Sequence, residues 1–211
     1  MAKQALILAN GDAPNKSRLL SLLGQCQLFV CADGGANTAL KFGLKPDAIV
    51  GDMDSIHAET LAKFQHIPRY EHTDENSTDL EKAIAWTIGQ QYTHIIVVGA
   101  TGKRLDHTVG NLGVLVKFYP DALIRLMDDR GEVCFVGREY TFEAPVRSLV
   151  SLIPLTRCEG ITTKGLEYAL DNEALELGIR EGTSNVVMAN PVVISVKRGN
   201  LLLYLLAPQH R

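Results

Sequence analysis

The residues best suited to chemistry in this chain are aspartates, and they fall at the ends of apolar, β-rich runs. Asp33 follows the run 28–32 and opens Asp33-Gly34-Gly35-Ala36-Asn37. Asp52 and Asp54 follow the run 48–50 in Gly51-Asp52-Met53-Asp54-Ser55. Asp74 and Asp79 frame Asp74-Glu75-Asn76-Ser77-Thr78-Asp79, and Asp106 lies beyond the run 95–99 in Gly102-Lys103-Arg104-Leu105-Asp106-His107. In an open parallel sheet, ligands bind outside the carboxyl ends of the strands. Acidic stretches gathered there repel one another unless a cation sits among them. A divalent metal carrying a polyphosphate is the simplest occupant.

The elements that position these residues follow from periodicity. Strand candidates at 4–10, 27–32, 47–51, 67–71 and 93–99 alternate with helix candidates at 14–23, 35–42, 57–65, 78–89 and 106–118. Such alternation predicts right-handed crossovers and a mainly parallel sheet with helices on both faces. Ser77 or Thr78 caps the helix at 78–89, with Glu81 completing a capping box to Thr78 and Leu80, Ile84 and Ile88 on one face. Beyond residue 120 the texture changes. Residues 123–127 and 133–136 flank the turn Asp128-Asp129-Arg130-Gly131, followed by strand-like segments near 148–155 and 161–163 and a final pair, 192–197 and 201–207. The last helical pattern is at 173–177. The reading is an α/β N-terminal domain over 1–137 and a small all-β sandwich over 138–211.

Bulk composition narrows the class. The 211 residues are 46% hydrophobic, enough for a real core, and the net charge is −3 with no long run of either sign. That balance offers no electrostatic footprint for nucleic acid or an anionic membrane. No apolar run reaches the roughly 18–20 residues of a membrane span. The N-terminus reads as a first strand and not as a signal peptide, which gives a cytoplasmic expectation. Cys26, Cys31, Cys134 and Cys158 show no C-x-x-C spacing and read as buried thiols. Cys31 reads as a core residue in preference to a nucleophile.

Each motif has a chemical reading. Gly34 and Gly35 let backbone approach a phosphate, with a helix N-terminus behind them. Asp52 and Asp54, alternating in an extended segment, point the same way and supply hard oxygen ligands for Mg²⁺. Thr78, Asp79 and Lys82 share a first helical turn where donors and a cation meet an anion. Arg104 grips phosphate bidentately, whereas Lys103 acts as a point charge. His107 is either an orienting group or a helix-start histidine. The sequence G-x-x-x-x-G-K-[ST] is absent, which excludes a Walker A loop.

Together these pieces resemble the thiamin pyrophosphokinase family. The matching residues are Ala32-Asp33-Gly34-Gly35-Ala36-Asn37, Pro46-Asp47 with Gly51-Asp52-Met53-Asp54-Ser55, Ser77-Thr78-Asp79-Leu80-Glu81-Lys82-Ala83 and Gly102-Lys103-Arg104-Leu105-Asp106-His107. Gly165-Leu166-Glu167-Tyr168-Ala169-Leu170 and Gly182-Thr183-Ser184-Asn185 complete the set in family order. The resemblance implies transfer of an intact diphosphate from ATP to the thiamin hydroxyl, with Mg²⁺ required, by a homodimer binding thiamin between subunits. It implies Asp52 and Asp54 as metal ligands, with Asp74 or Asp79 as a third acidic contact. Asp74 is counted with the metal set. Asp33, Thr78, Lys82 and Arg104 would contact nucleotide or phosphates, joined by Gly34, Asn37, Ser77, Asp79, Lys103 and His107. Tyr168, Thr183, Ser184 and Asn185 would form the thiamin side. Asp33 and Asp106 both stand as acceptors for the hydroxyl proton. Lys103 replaces a usual glycine, and Tyr168 replaces a Trp of animal members. A pyrophosphokinase for another heterocyclic alcohol such as a pterin, and a non-catalytic thiamin or nucleotide sensor, remain open on the same residues.

Overall fold

The structure, a computed structural model, describes residues 3–74 and 76–207; Met1, Ala2 and Glu75 of the stretches above lie outside them. The chain divides into two compact units between Asp129 and Arg130. The sequence reading set its division at 137/138; the observed one assigns the strand at 131–135 to the second unit.

In the first unit, strands and helices alternate. They are β1 (Gln4–Leu8), α1 (Lys16–Leu23), β2 (Leu28–Ala32), α2 (Gly35–Phe42), β3 (Ala48–Gly51), α3 (Ala58–Lys63), β4 (Arg69–Glu71), α4 (Asp79–Gly89), β5 (His94–Val98), α5 (Leu105–Lys117) and β6 (Leu123–Met127). The strands pair in parallel in the order β6-β5-β1-β2-β3-β4. Ala5 to Leu8, Phe29 to Ala32 and Ile95 to Val98 are buried throughout, as expected for strands covered on both faces. One core joins Leu6 and Leu8 of β1 with Leu19 of α1, Ala36 and Ala39 of α2 and Phe64 after α3. Helix α4 packs across β1, β2 and β3. Its start is the expected capping box: Thr78 accepts from the Glu81 N–H, and the Glu81 carboxylate accepts from the Thr78 N–H. At the sheet edge, β4 is the shortest strand here and all three of its residues are exposed. Tyr70 of β4 rests against Trp86 of α4 with ring centroids 4.7 Å apart.

The second unit is antiparallel. Its strands are β7 (Gly131–Phe135), β8 (Glu139–Phe142), β9 (Leu149–Pro154), β10 (Cys158–Lys164), β11 (Glu173–Leu175), β12 (Gly182–Val186), β13 (Val192–Ser195) and β14 (Leu201–Leu206). One layer runs β7-β14-β9-β12, the other β11-β10-β13-β8. Val150, Leu152, Ile161, Val192, Ile194, Leu201 and Leu203 meet in a core drawn from both layers, so the unit is a sandwich. Two details depart from the sequence reading. The helical pattern at 173–177 is instead β11, because Leu175 buries its side chain by pairing opposite Cys158; a turn then returns Arg180 to Glu176 and to the Glu173 carboxylate. The final pair of strands, joined through Arg198-Gly199-Asn200, goes to different layers.

All four cysteines are free, and Cys31 is fully buried, with burial pushing its thiol up. Among the described residues, no helix is long and apolar enough to cross a membrane.

Candidate active site

The strand order reverses at β1: the chain builds outward through β2, β3 and β4, then returns to β5 on the other side. A crevice forms at such a switch point beyond the carboxyl ends of the strands. A cleft of about 430 Å³ lies there.

Its acidic wall is assembled from β2, β3 and α4. Asp33 leaves β2 with φ 40°, and its N–H donates to the Val50 carbonyl at 2.9 Å, which fixes it beside the end of β3. The residue is only 2% exposed, and its Oδ1 has no hydrogen-bond partner. Burial holds its carboxyl above the usual range, with the nearby Asp79 and Asp52 carboxylates adding to the effect. Gly51 must lack a side chain, since a Cβ would stand 2.8 Å from Asp33 Cβ and 3.1 Å from Asp79 Oδ1. The Asp52 N–H donates to Asp79 Oδ1 at 3.2 Å. The following segment is not extended: Met53 has φ 69°, and Asp52 Oδ1 accepts from the Asp54 N–H at 3.2 Å. This turn still brings the carboxylates together. Oxygens of Asp33, Asp52 and Asp54 lie within 4.8 Å of one another. The Lys82 ammonium, nearly buried, sits 3.2 Å from Asp79 and 3.9 Å from Asp52. Lys82 is thus paired with two of the carboxylates gathered here. A buried carboxylate oxygen without a donor, aimed among like charges, fits a hard divalent cation such as Mg²⁺.

Asp74, counted with the metal set in the sequence, lies outside this group of three. Its carboxylate is exposed and engaged within its own loop, accepting from Ser77 Oγ at 2.6 Å and from the Asn76 N–H at 3.0 Å, contacts that hold its pKa low.

The opposite wall is cationic. After β5 the chain turns through Gly99, Gly102 and Lys103, all with positive φ. Lys103 therefore keeps the backbone shape that a glycine would adopt freely. Its ammonium donates to the Asn10 carbonyl at 2.6 Å. Arg104 follows at the N-terminus of α5, 68% exposed in its side chain, and its Nε donates to Asp106 Oδ1 at 3.1 Å while Nη2 bonds the other oxygen. That guanidinium pulls the Asp106 pKa down to about 2. Lys103, Arg104 and His107 line the cleft opposite Asp33, Thr78 and Asp79.

Several residues expected to face a ligand also make contacts within the fold. A Cβ on Gly34 would strike the Asn10 side chain, and one on Gly35 would strike the Leu8 carbonyl, so Gly34 makes room for a residue of the cleft and Gly35 lets α2 start close against β1. Asn37 donates to the Ser55 carbonyl at 2.8 Å and accepts from the His57 N–H at 3.0 Å. Lys82 turns inward to Asp79, away from the cleft surface.

In the second unit, Asn185 is buried. Its Oδ1 accepts from the Tyr168 N–H at 3.0 Å and its Nδ2 donates to the Tyr168 carbonyl at 2.8 Å. Thr183 and Ser184 are exposed, Ser184 with φ 58°, and Tyr168 is 65% exposed.

The sequence reading missed Asn10, Gly11 and Asn111, which line the cleft. Gly11 N–H donates to the Gly99 carbonyl at 2.6 Å, locking the β1 exit to the Lys103 loop, and Asn111 Nδ2 donates to the Ala100 carbonyl at 2.7 Å. The signal that finds Asn10 and Gly11 is topological: the residues after β1 sit at the switch point whatever their type.

Comparison with known proteins agrees along both units. Residues 19–126 match the catalytic domain of thiamin pyrophosphokinase, and residues 139–201 match its vitamin B1 binding domain. Thiamine pyrophosphokinase 1 of Arabidopsis thaliana is 32% identical, across 91% of this chain and 82% of that protein. The Bacillus subtilis thiamine pyrophosphokinase is 29% identical over 93% of this chain and 95% of its own. A crystal structure of a Bacillus subtilis thiamine pyrophosphokinase superposes with a TM-score of 0.84 at 26% identity, covering 98% of this chain and 100% of that one. The chain belongs to the thiamin pyrophosphokinase family.

Proposed function

We propose that this protein transfers a diphosphate group from ATP to the hydroxyl of thiamin, giving AMP and thiamin diphosphate. The observation that carries the reading is the buried Asp33 carboxylate, one oxygen of which has no donor, which converges with Asp52 and Asp54 and lines one cleft with Lys103 and Arg104. Asp33, Asp52 and Asp54 would hold Mg²⁺. When bound, the ion neutralises phosphate oxygens and leaves the β-phosphorus open to attack. Asp79 and Lys82 support this set from behind, Asp79 by fixing the Asp52 backbone and Lys82 by offsetting charge.

Diphosphate transfer to a primary alcohol depends on alignment and charge stabilisation more than on covalent help from the protein. Arg104 supplies a planar donor fork toward the cleft, and Asp106 holds it there. With a pKa of about 2, Asp106 is a poor acceptor for the hydroxyl proton. Asp33, the other carboxylate read from the sequence as a proton acceptor, is assigned here to the ion.

Thiamin recognition is assigned to Tyr168, Thr183 and Ser184 of the second unit, with Asn185 shaping their backbone. The same reading has two copies of the chain pairing with thiamin between them, and the enzyme working in the cytoplasm. Exposed Tyr168, Ile179 and Met188 on the second unit are apolar surface suited to a partner.

The test is to incubate the protein with Mg-ATP and thiamin and follow both products. Equal formation of AMP and thiamin diphosphate, stopped by a chelator, is the expected result. ADP with thiamin monophosphate would place the attack at the γ-phosphorus and overturn the reading.

A further inference from the structure

The loop that carries Arg104 is zipped to the chain leaving β1. The Val98, Gly99 and Thr101 carbonyls accept from the Ala9, Gly11 and Asp12 N–H groups at 2.8, 2.6 and 2.8 Å, and the Ala100 carbonyl accepts from Asn111 at 2.7 Å. A Cβ on Gly102 would stand 2.0 Å from Asp12 Oδ2, so the two segments also pack closely. The zipper ends at Lys103, whose φ of 48° is a strained conformation for a lysine. Such strain persists where the surroundings over-determine the residue. Its ammonium donates to the Asn10 carbonyl at 2.6 Å, with Asn10 Oδ1 3.4 Å away, so both acceptors belong to one residue of the β1 exit. The Asn10 amide in turn lies against Gly34, where a Cβ would stand 2.3 Å from Asn10 Nδ2. Lys103, Asn10 and Gly34 thus form a row that is adjacent in sequence to Arg104 at one end and to Asp33 at the other.

We propose that Lys103 is a positioning residue: its side chain latches the Arg104 loop to the β1 exit and so fixes the guanidinium in the cleft, in place of the phosphate contact expected of it. The inference rests on the diphosphate-transfer reading above for what Arg104 does, and adds what holds Arg104 in place.

The two cations of this segment are held differently. A charge-assisted bond from an ammonium to a carbonyl is a strong tether, and Lys103 makes it to a residue far away in the chain. Arg104 spends its bonds on Asp106, two residues on in the same segment, and its side chain is mostly exposed. Asp106 orients the guanidinium relative to α5; Lys103 ties the start of α5 to the β1 exit, and through Asn10 to the turn that bears Asp33. Loosening the latch leaves Arg104 present and charged but free to drift. Misplacing a catalytic group by about 1 Å costs rate even where the substrate still binds.

The experiment compares Lys103→Met, which keeps the stem and removes the donor, with Lys103→Gly, which also removes the strain, each alone and combined with Arg104→Ala. Both single variants should lower kcat about fivefold with the KM for Mg-ATP and for thiamin held within about twofold, and the loss should shrink below about 1.5-fold once Arg104 is gone. Lys103→Gly, freed of the strain, should melt within about 3 °C of wild type, so its lost rate is not a lost fold. Hydrogen exchange reads the latch without substrate: in ligand-free Lys103→Met, the Gly11 and Asp12 amides that bond the loop should exchange about tenfold faster than in wild type. Unchanged exchange at those amides, or a KM for Mg-ATP raised equally with and without Arg104, would overturn the latch and make Lys103 a direct phosphate contact. If wild-type protein forms no thiamin diphosphate, the transfer reading fails, and the exchange rates still decide the latch.

Discussion

The cleft of the first unit and the Tyr168–Asn185 region of the second treat polar side chains in opposite ways. In the first, Asp33 is buried yet one oxygen is left without a donor, and three carboxylates crowd together. In the second, the buried polar residue, Asn185, spends its amide on the Tyr168 backbone, and the ligand-facing candidates stand out in solvent. A buried polar group normally finds its partners within the fold. Where it does not, the missing partner points to a ligand; where it does, the residue is part of the scaffold even inside a functional motif.

The comparison can be broken most sharply at the acidic wall. Asp52→Asn or Asp54→Asn should lower turnover by about 10²–10³-fold in a folded protein and weaken its dependence on Mg²⁺; near-normal rates in either would sink the metal assignment. Asn185→Ala should cost about 2–3 kcal/mol in urea denaturation, since it strips the Tyr168 N–H and carbonyl of their partner. A loss under half a kilocalorie would mean that Asn185 is a ligand contact after all. Arg104→Ala should reduce kcat by about tenfold with little change in KM for thiamin. Its ion pair is exposed, so the melting temperature should hold. The reverse kinetic pattern would move Arg104 into ground-state binding. Smallest of these, Ser184→Ala should raise the KM for thiamin by roughly threefold, with kcat retained.

Asp33 gives a stability test with a defined sign. Its folded carboxyl binds a proton more tightly than the unfolded one, so its contribution favours the fold at pH below the ordinary carboxylate range. That contribution is lost as pH rises through the raised folded value. In chelator at neutral pH, Asp33→Asn should therefore melt higher than wild type while losing activity. Added Mg²⁺ should raise the melting temperature of wild type and leave the variant unmoved.

Much of the first unit was legible because its strands are continuous apolar runs and its helix starts carry capping residues; α4 begins at the expected box. The second unit was less so. The sequence Glu173-Ala174-Leu175 has helical composition, yet pairing with β10 overrides it. Strands β8 and β12 are short, and β12 shifts register between Gly182 and Asn185, which blurs alternation. At the site, the Asp52–Asp54 pair was readable from spacing. The partner that completes it was not: Asp33 and Asp74 both end strands or begin loops, and only the β2–β3 pairing brings Asp33 alongside. Asn10 and Gly11 carry no motif and become visible only once the strand order is known.

The exposed edge strand β4 has a consequence for the behaviour of the protein at high concentration. A bare strand edge is a template on which another chain can add, the first step toward fibrils. Here the edge is three residues long, carries Arg69 and Glu71, and rests the ring of Tyr70 against Trp86 while leaving it exposed. The strand is thus too short and too charged to recruit a neighbour. Replacing both charges with valine would convert a silent border into an adhesive one, without touching a residue that serves the chemistry.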